Sequence, residues 1–390
     1  MTDTKLRILG TSVTLFKEVQ DLARQDLDFQ IEFDVQGGVE VLQKGILRPD
    51  TYDIYDQWYH SIDLLWTAGA IQSIDANRLE LWDEVGGLTK TGTVVDGASL
   101  GVGSRPMDVQ FVQEDGSLGS SKSDLLSAVP TAHNADSFSY DPALKPKSLR
   151  DVPESWGWLL NEAWRGKIGM NTDPSIGIAD MILAAQAMGL TKFKDIGNLT
   201  IEEIDELVES LIAYKKNSHF GGMWSTVTDS VEYMAGRKGR IGGIWSPAVS
   251  RLRARNVPVR VAAPVEGYRA WHSGLCLSSQ LPTAKTKAAY QYLNWWLSGR
   301  PGAILARQGY YTSTPERTRS YLSEAEWGYW YAGEEAKEDL CDPQGRKTIK
   351  KGSEREDGSC QDRMSNIIMW NTLMDEQNYL VRRWNELLAA

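Results

Sequence analysis

The chain has 390 residues and a net charge of −10 at neutral pH, with 24% charged residues of mixed sign. That length exceeds one ordinary core and favours two lobes, and the mixed charge excludes wholesale disorder. The acidic balance argues against nucleic acid as a partner, which would call for a basic face, and no apolar run approaches the roughly 20 residues that span a bilayer.

Strand and helix patterns alternate from the start. Residues 6–9 read as a strand, 13–23 as a helix, 28–35 as a strand and 39–47 as a helix. A short strand at 52–55 leads to a helix at 62–70. Residues 113–141 are polar and irregular and read as a loop. Residues 164–170 turn into a strand, and a helix follows over 171–189, with Thr172 or Asp173 as its cap and Pro174 in its first turn. Residues 201–216 form a periodic amphipathic helix capped by Thr200. Strands follow at 240–245, 257–263 and 274–277. A helix at 283–298 has Thr283 as cap candidate, and 371–390 reads as a closing helix. The alternation predicts an α/β fold on a mainly parallel sheet.

Catalytic patterns fare poorly. Gly97-Ala98-Ser99-Leu100-Gly101 matches a nucleophile elbow, but the residues after it, Val102 to Pro106, cannot start a good helix. Gly166-Lys167 is followed by Ile168, so no phosphate-cradling loop is present. The four histidines, at 60, 133, 219 and 272, lack metal-ligand spacing. No catalytic residue, metal or cofactor is expected. Cys276 sits in an apolar run and reads as buried. Cys341 and Cys360 flank a polar loop; a disulfide closing it would contribute about 3 kcal/mol and imply an oxidising compartment. The alternative is two unrelated thiols. The opening Met1-Thr2-Asp3 fits a cytosolic start, or a mature secreted chain whose leader is absent.

Several segments, taken in order, resemble the periplasmic spermidine/putrescine-binding family of ABC-transporter substrate-binding proteins. They are Tyr52-Asp53-Ile54, Gly69-Ala70-Ile71 with Ile74-Asp75, Pro153-Glu154-Ser155-Trp156 with Gly166-Lys167-Ile168, Gly243-Ile244-Trp245-Ser246, Glu266-Gly267 with Trp271, and Gly309-Tyr310 with Thr314-Pro315. The resemblance implies a two-lobed periplasmic-binding-protein fold, hinged around a ligand in the interlobe cleft. It implies lobe one from residues 1–105 with 272–325, and lobe two from 106–271 with 326–390. It also implies a periplasmic location, an inner-membrane ABC permease as partner, a monomer, and no catalysis.

Departures from the family bear on the ligand. Ser273 stands where polyamine binders of the family carry a carboxylate, and Ser175 and Ile176 stand near a second such position, although Asp173 remains. Fewer acids disfavour a multiply charged amine, since an unpaired buried ammonium is costly. The aromatic candidates are Trp58, Tyr59, Trp245, Tyr268, Trp271 and either Tyr310 or Tyr311, with Trp224 as a further addition. Such rings suit a methylated onium group of the betaine, choline or dimethylsulfoniopropionate type, held by ring faces. A zwitterion's carboxylate would need Arg105, Arg269 or the Thr11-Ser12 turn. The alternatives are a polyamine or other amine, a sulfonate or phosphonate, and a cytosolic α/β enzyme.

Overall fold

The computed structural model describes residues 2–236 and 239–390. The chain divides into two compact units. The first comprises the chain up to Ala98, Arg105–Asn134 and Trp271–Tyr331; the second comprises Ser99–Ser104, Ala135–Ala270 and Ala332–Ala390. The expected assignment of 106–134 to the second lobe is therefore corrected. That stretch carries a strand of the first unit's sheet, which the sequence-based reading treats as loop.

In the first unit the sheet runs Tyr311–Thr312, Val129–Asp136, Tyr268–Ser278, Ile54–Trp58, Thr2–Thr11, Phe29–Gln36. The strand Thr2–Thr11 is parallel to both of its neighbours. Side chains alternate between the two faces, as a period of two requires. Leu6, Ile8, Ile54, Leu275 and Leu277 enter one core with Leu15, Val19, Tyr292 and Trp296. Leu9, Tyr55 and Cys276 enter the other with Val41 and Leu65. The helices Lys17–Asp26 and Thr286–Leu297 contribute to the first core, Gly38–Leu47 and Ile62–Thr67 to the second. Asp53 is buried at the start of its strand. Burial pushes its carboxyl up, but Arg7 and Lys285, at 2.8 and 2.7 Å, outweigh that and hold it below the usual range.

In the second unit the strand order is Phe220–Trp224, Ile168–Asn171, Ile241–Gly242, Ser139–Tyr140, Arg260–Val261. The first three are mutually parallel. Trp156, Trp158, Trp164 and Trp384 fill the core with residues of helices Gly177–Ala187 and Ile201–Lys216. Thr200 and Glu203 close a reciprocal capping box. The last helix, Gln377–Ala389, packs on Ile201–Lys216, and Lys215 donates to its terminal carbonyls Leu387 and Leu388.

Other expectations shift. The first helix begins at Lys17, not 13, because residues 12–14 form a turn. The helix expected over 171–189 begins at Gly177: Asp173 Oδ1 takes the Ser175 amide and hydroxyl and so builds a turn ahead of it. Thr283 opens a short tight turn, and the helix proper starts at Thr286.

The expected Cys341–Cys360 disulfide is absent, and both are free thiols. The intervening segment orders itself. Leu340–Cys341 and Lys347–Ile349 form a hairpin, Asp342 accepts from Gln344, Arg346 and the Arg346 side chain, and Ser359 caps the helix Cys360–Met364. Cys341 faces solvent, whereas burial pushes the Cys360 thiol up to about 12.

Candidate ligand-binding surfaces

In an open α/β sheet, ligands gather at the carboxyl ends of parallel strands. Each unit brings expected residues to such an edge. In the first unit, Thr11 ends one parallel strand, exposed Ser12 follows it, and Trp58 ends the next. In the second unit, Asp173 follows the strand Ile168–Asn171 and Trp245 follows Ile241–Gly242, where it precedes helix Ser246–Ala254 as its N-cap. Trp58 is half-buried and stacks on His60 at 5.4 Å and 16°. Trp245 is half-buried.

Other expected residues are committed to packing. Trp271 belongs to the first unit's core and meets Tyr310 edge-on at 5.0 Å. Tyr59 donates its hydroxyl to Gln110, which in turn donates to the Ala128 carbonyl. Tyr268 donates to the Asp357 carbonyl, and the Arg363 guanidinium lies over its ring. Trp224 lies tilted against Tyr233 over a glycine-lined stretch of sheet, where a Cβ on Gly169 would collide with both rings.

The arginines are answered by carboxylates. Arg269 is buried, with Nε 2.8 Å from Asp180 Oδ1 and Nη1 2.7 Å from Asn371 Oδ1. Arg105 holds Asp108 in two bonds of 2.7 and 3.0 Å. The Ser99 motif is no elbow either: Ser99 forms an isolated bridge to Asn366, and its hydroxyl accepts from Gly101.

The arrangement missed by sequence reasoning is a ladder of rings across adjacent strands of the first unit. Tyr59 meets His272 at 4.9 Å, His272 stacks on His133 at 5.0 Å and 29°, and His133 lies 6.0 Å from Tyr311, its register partner. Tyr331 and Trp327 continue the row at 5.3 and 4.2 Å. Burial lowers the His272 pKa to about 4, and burial with the neighbouring His272 pushes His133 well below its ordinary value. His272 Nδ1 lies 2.8 Å from the Ser273 carbonyl, which only accepts, so the proton sits on Nδ1. His272 Nε2 is then a lone pair, buried and without a hydrogen-bond partner; His133 Nδ1 is likewise buried without one. No signal in the sequence couples these two histidines. Their strands only become neighbours in the sheet.

The family model for bacterial extracellular solute-binding proteins matches residues 48–338. This chain belongs to that family. Solved structures with the same fold include a spermidine/putrescine ABC transporter substrate-binding protein from Streptococcus pneumoniae, at 13% identity and TM-score 0.64, covering 99% of this chain and 98% of that one. The PotD lipoprotein of Treponema pallidum matches at 9% identity and TM-score 0.64, covering 98% and 99%. A binding protein of Agrobacterium tumefaciens R10, solved with agropinic acid, matches at 12% identity and TM-score 0.59, covering 100% of each. No curated protein matches. The family and these neighbours are solute-binding proteins, not enzymes. Among the described residues of this solute-binding protein, no helix is long and apolar enough to cross a membrane, and no group of three His, Cys, Asp or Glu is placed to hold a metal ion.

Proposed function

We propose that this protein serves a bacterial ABC importer in the periplasm, as a monomer, and delivers to an inner-membrane permease a small amine that keeps at least one N–H. The observation that carries this reading is the buried Nε2 lone pair of neutral His272. Leaving a buried acceptor unpaired costs about 1–3 kcal/mol. An ammonium or amine N–H relieves that cost, and the neighbouring ring faces favour its positive charge. The internal neutralisation of Arg269 by Asp180 counts against a sulfonate or phosphonate. It equally removes that arginine as an anchor for a zwitterion's carboxylate. The neighbour named for spermidine and putrescine shares only the fold at 13% identity, so the amine reading stands on the chain's own residues.

A methylated onium compound of the betaine, choline or dimethylsulfoniopropionate type is the second reading. It is favoured by the half-buried Trp58 and Trp245, whose ring faces serve a cation that donates nothing. Calorimetric titration with putrescine and simple monoamines, each beside its permethylated counterpart, separates the two. Tenfold or greater preference for the N–H forms supports the first reading. Equal or better binding of the permethylated forms replaces it with the second, and binding of sulfonates alone overturns both.

A further inference from the structure

A second buried polar cluster lies on the opposite face of the first unit's sheet, inside the core. Asp56 projects from the strand Ile54–Trp58, Thr14 from the turn after Thr2–Thr11, and Tyr292 and Trp296 from successive turns of helix Thr286–Leu297. Both Asp56 carboxyl oxygens, Thr14 Oγ1, Tyr292 OH and Trp296 Nε1 are buried without a hydrogen-bond partner. They influence one another: Thr14 draws the Asp56 pKa down against the larger effect of burial, and Trp296 does the same to Tyr292. Gly10 is the register partner of Asp56, and a Cβ there would come within 3.0 Å of the Asp56 Cβ and 2.6 Å of its carbonyl. The glycine therefore permits the close approach of the Asp56 backbone and Cβ and of the Leu15 side chain.

Burying an ionised carboxylate without a counter-charge is costly enough that the group takes up a proton instead. No cationic side chain is among the groups that shift Asp56. We infer that Asp56 is a proton-binding site of the first unit, a neutral carboxylic acid enclosed with the polar groups of Thr14, Tyr292 and Trp296, lying directly beneath the strand ends that carry Thr11 and Trp58. This cluster takes no part in the proposed solute contacts. Its ligand is a proton.

The titratable groups around Asp56 are Tyr55 on its own strand, Cys276 on the adjacent strand, and Tyr292 on the helix. Burial pushes all three up, so none of them changes charge near neutrality. Burial raises the Asp56 carboxyl to about 7, whereas an unfolded aspartate titrates near 3.9. The folded unit therefore binds this proton more tightly. The stabilisation is complete below about pH 4 and is lost as the pH rises through 7. His133 and His272, on the other face, titrate in the opposite sense, so wild type alone does not isolate Asp56.

The test compares denaturant unfolding of wild type and Asp56→Asn from pH 4 to 9. The ratio of folding constants, variant to wild type, is expected to rise up to about tenfold per pH unit until near pH 7 and then level off. The infrared C=O stretch of a neutral carboxylic acid is expected in wild type at pH 6 and absent from the variant. A ratio independent of pH overturns the inference. If Asp56→Asn does not fold, Tyr292→Phe, which removes one hydroxyl from the cluster, is expected to move the wild-type infrared midpoint to higher pH; an unmoved midpoint overturns it.

Discussion

Arg269 Nε lies 2.8 Å from Asp180 Oδ1, and both side chains are buried in the second unit. Gly243 permits the approach, because a Cβ there would run into the Asp180 carboxylate. Removing one partner of such a pair leaves a buried charge without compensation. Asp180→Ala is expected to destabilise the protein by about 3–5 kcal/mol, read as a fall in the denaturant midpoint. A loss below about 1 kcal/mol would show that the pair is dispensable.

The two candidate tryptophans are expected to separate. Trp245 is half-buried at a helix N-cap, so Trp245→Ala should weaken solute binding at least tenfold with little change in melting temperature. Trp271 packs in the core against Tyr310, so Trp271→Ala should also lose about 3–5 kcal/mol of stability. Calorimetric titration beside thermal melting distinguishes them. Unchanged affinity in Trp245→Ala would remove it from the site.

Acid should loosen the first unit through its histidines. The His272 pKa is about 4, lowered by burial, against roughly 6.5 in an unfolded chain. The unfolded state thus binds the extra proton. The stabilisation is complete above pH 6.5 and is lost as the pH falls through 4. His272→Gln should reduce the pH dependence of the folding constant by about tenfold per unit in that window. A slope identical to wild type would mean the ring is charged in the folded protein.

Thiol chemistry should follow burial. Under non-reducing conditions Cys341 is expected to react with an aromatic disulfide reagent in the native protein, half-buried Cys360 with its raised thiol pKa more slowly, and Cys276 only on unfolding. Adding reductant should leave the melting temperature unchanged. A mass two hydrogens short, or a melting temperature that falls on reduction, would restore the disulfide.

Legibility in the sequence varied with the range of the force involved. The helix Ile201–Lys216 was read to its boundaries because Thr200, Glu203 and a 3.6-residue apolar stripe act within a few residues of one another. The strand Val129–Asp136 was missed. Thr131, His133, Asn134 and Asp136 look like a loop, yet the whole strand is buried by flanking strands distant in the chain. Trp58 lies beyond the strand expected at 52–55 and ends the longer strand Ile54–Trp58, whereas Trp245, expected to end a strand at 240–245, follows the shorter Ile241–Gly242 as a helix N-cap. The roles of Arg269 and Tyr59 were not legible, since Asp180 and Gln110 meet them only through folding.

The α/β alternation and the best-capped helix were legible from the chain because they rest on backbone hydrogen bonding and apolar periodicity, which are local. Length favoured two lobes and a series of ordered motifs carried the family resemblance, but each unit is assembled from three separated chain segments. Tertiary structure alone decided which charges are cancelled, which imidazole nitrogen keeps a lone pair, that Asp56 is sealed from water, and that two cysteines stay apart. Desolvation and pairing depend on what surrounds a group in space, and those surroundings come from other strands and helices, not from its neighbours in the chain.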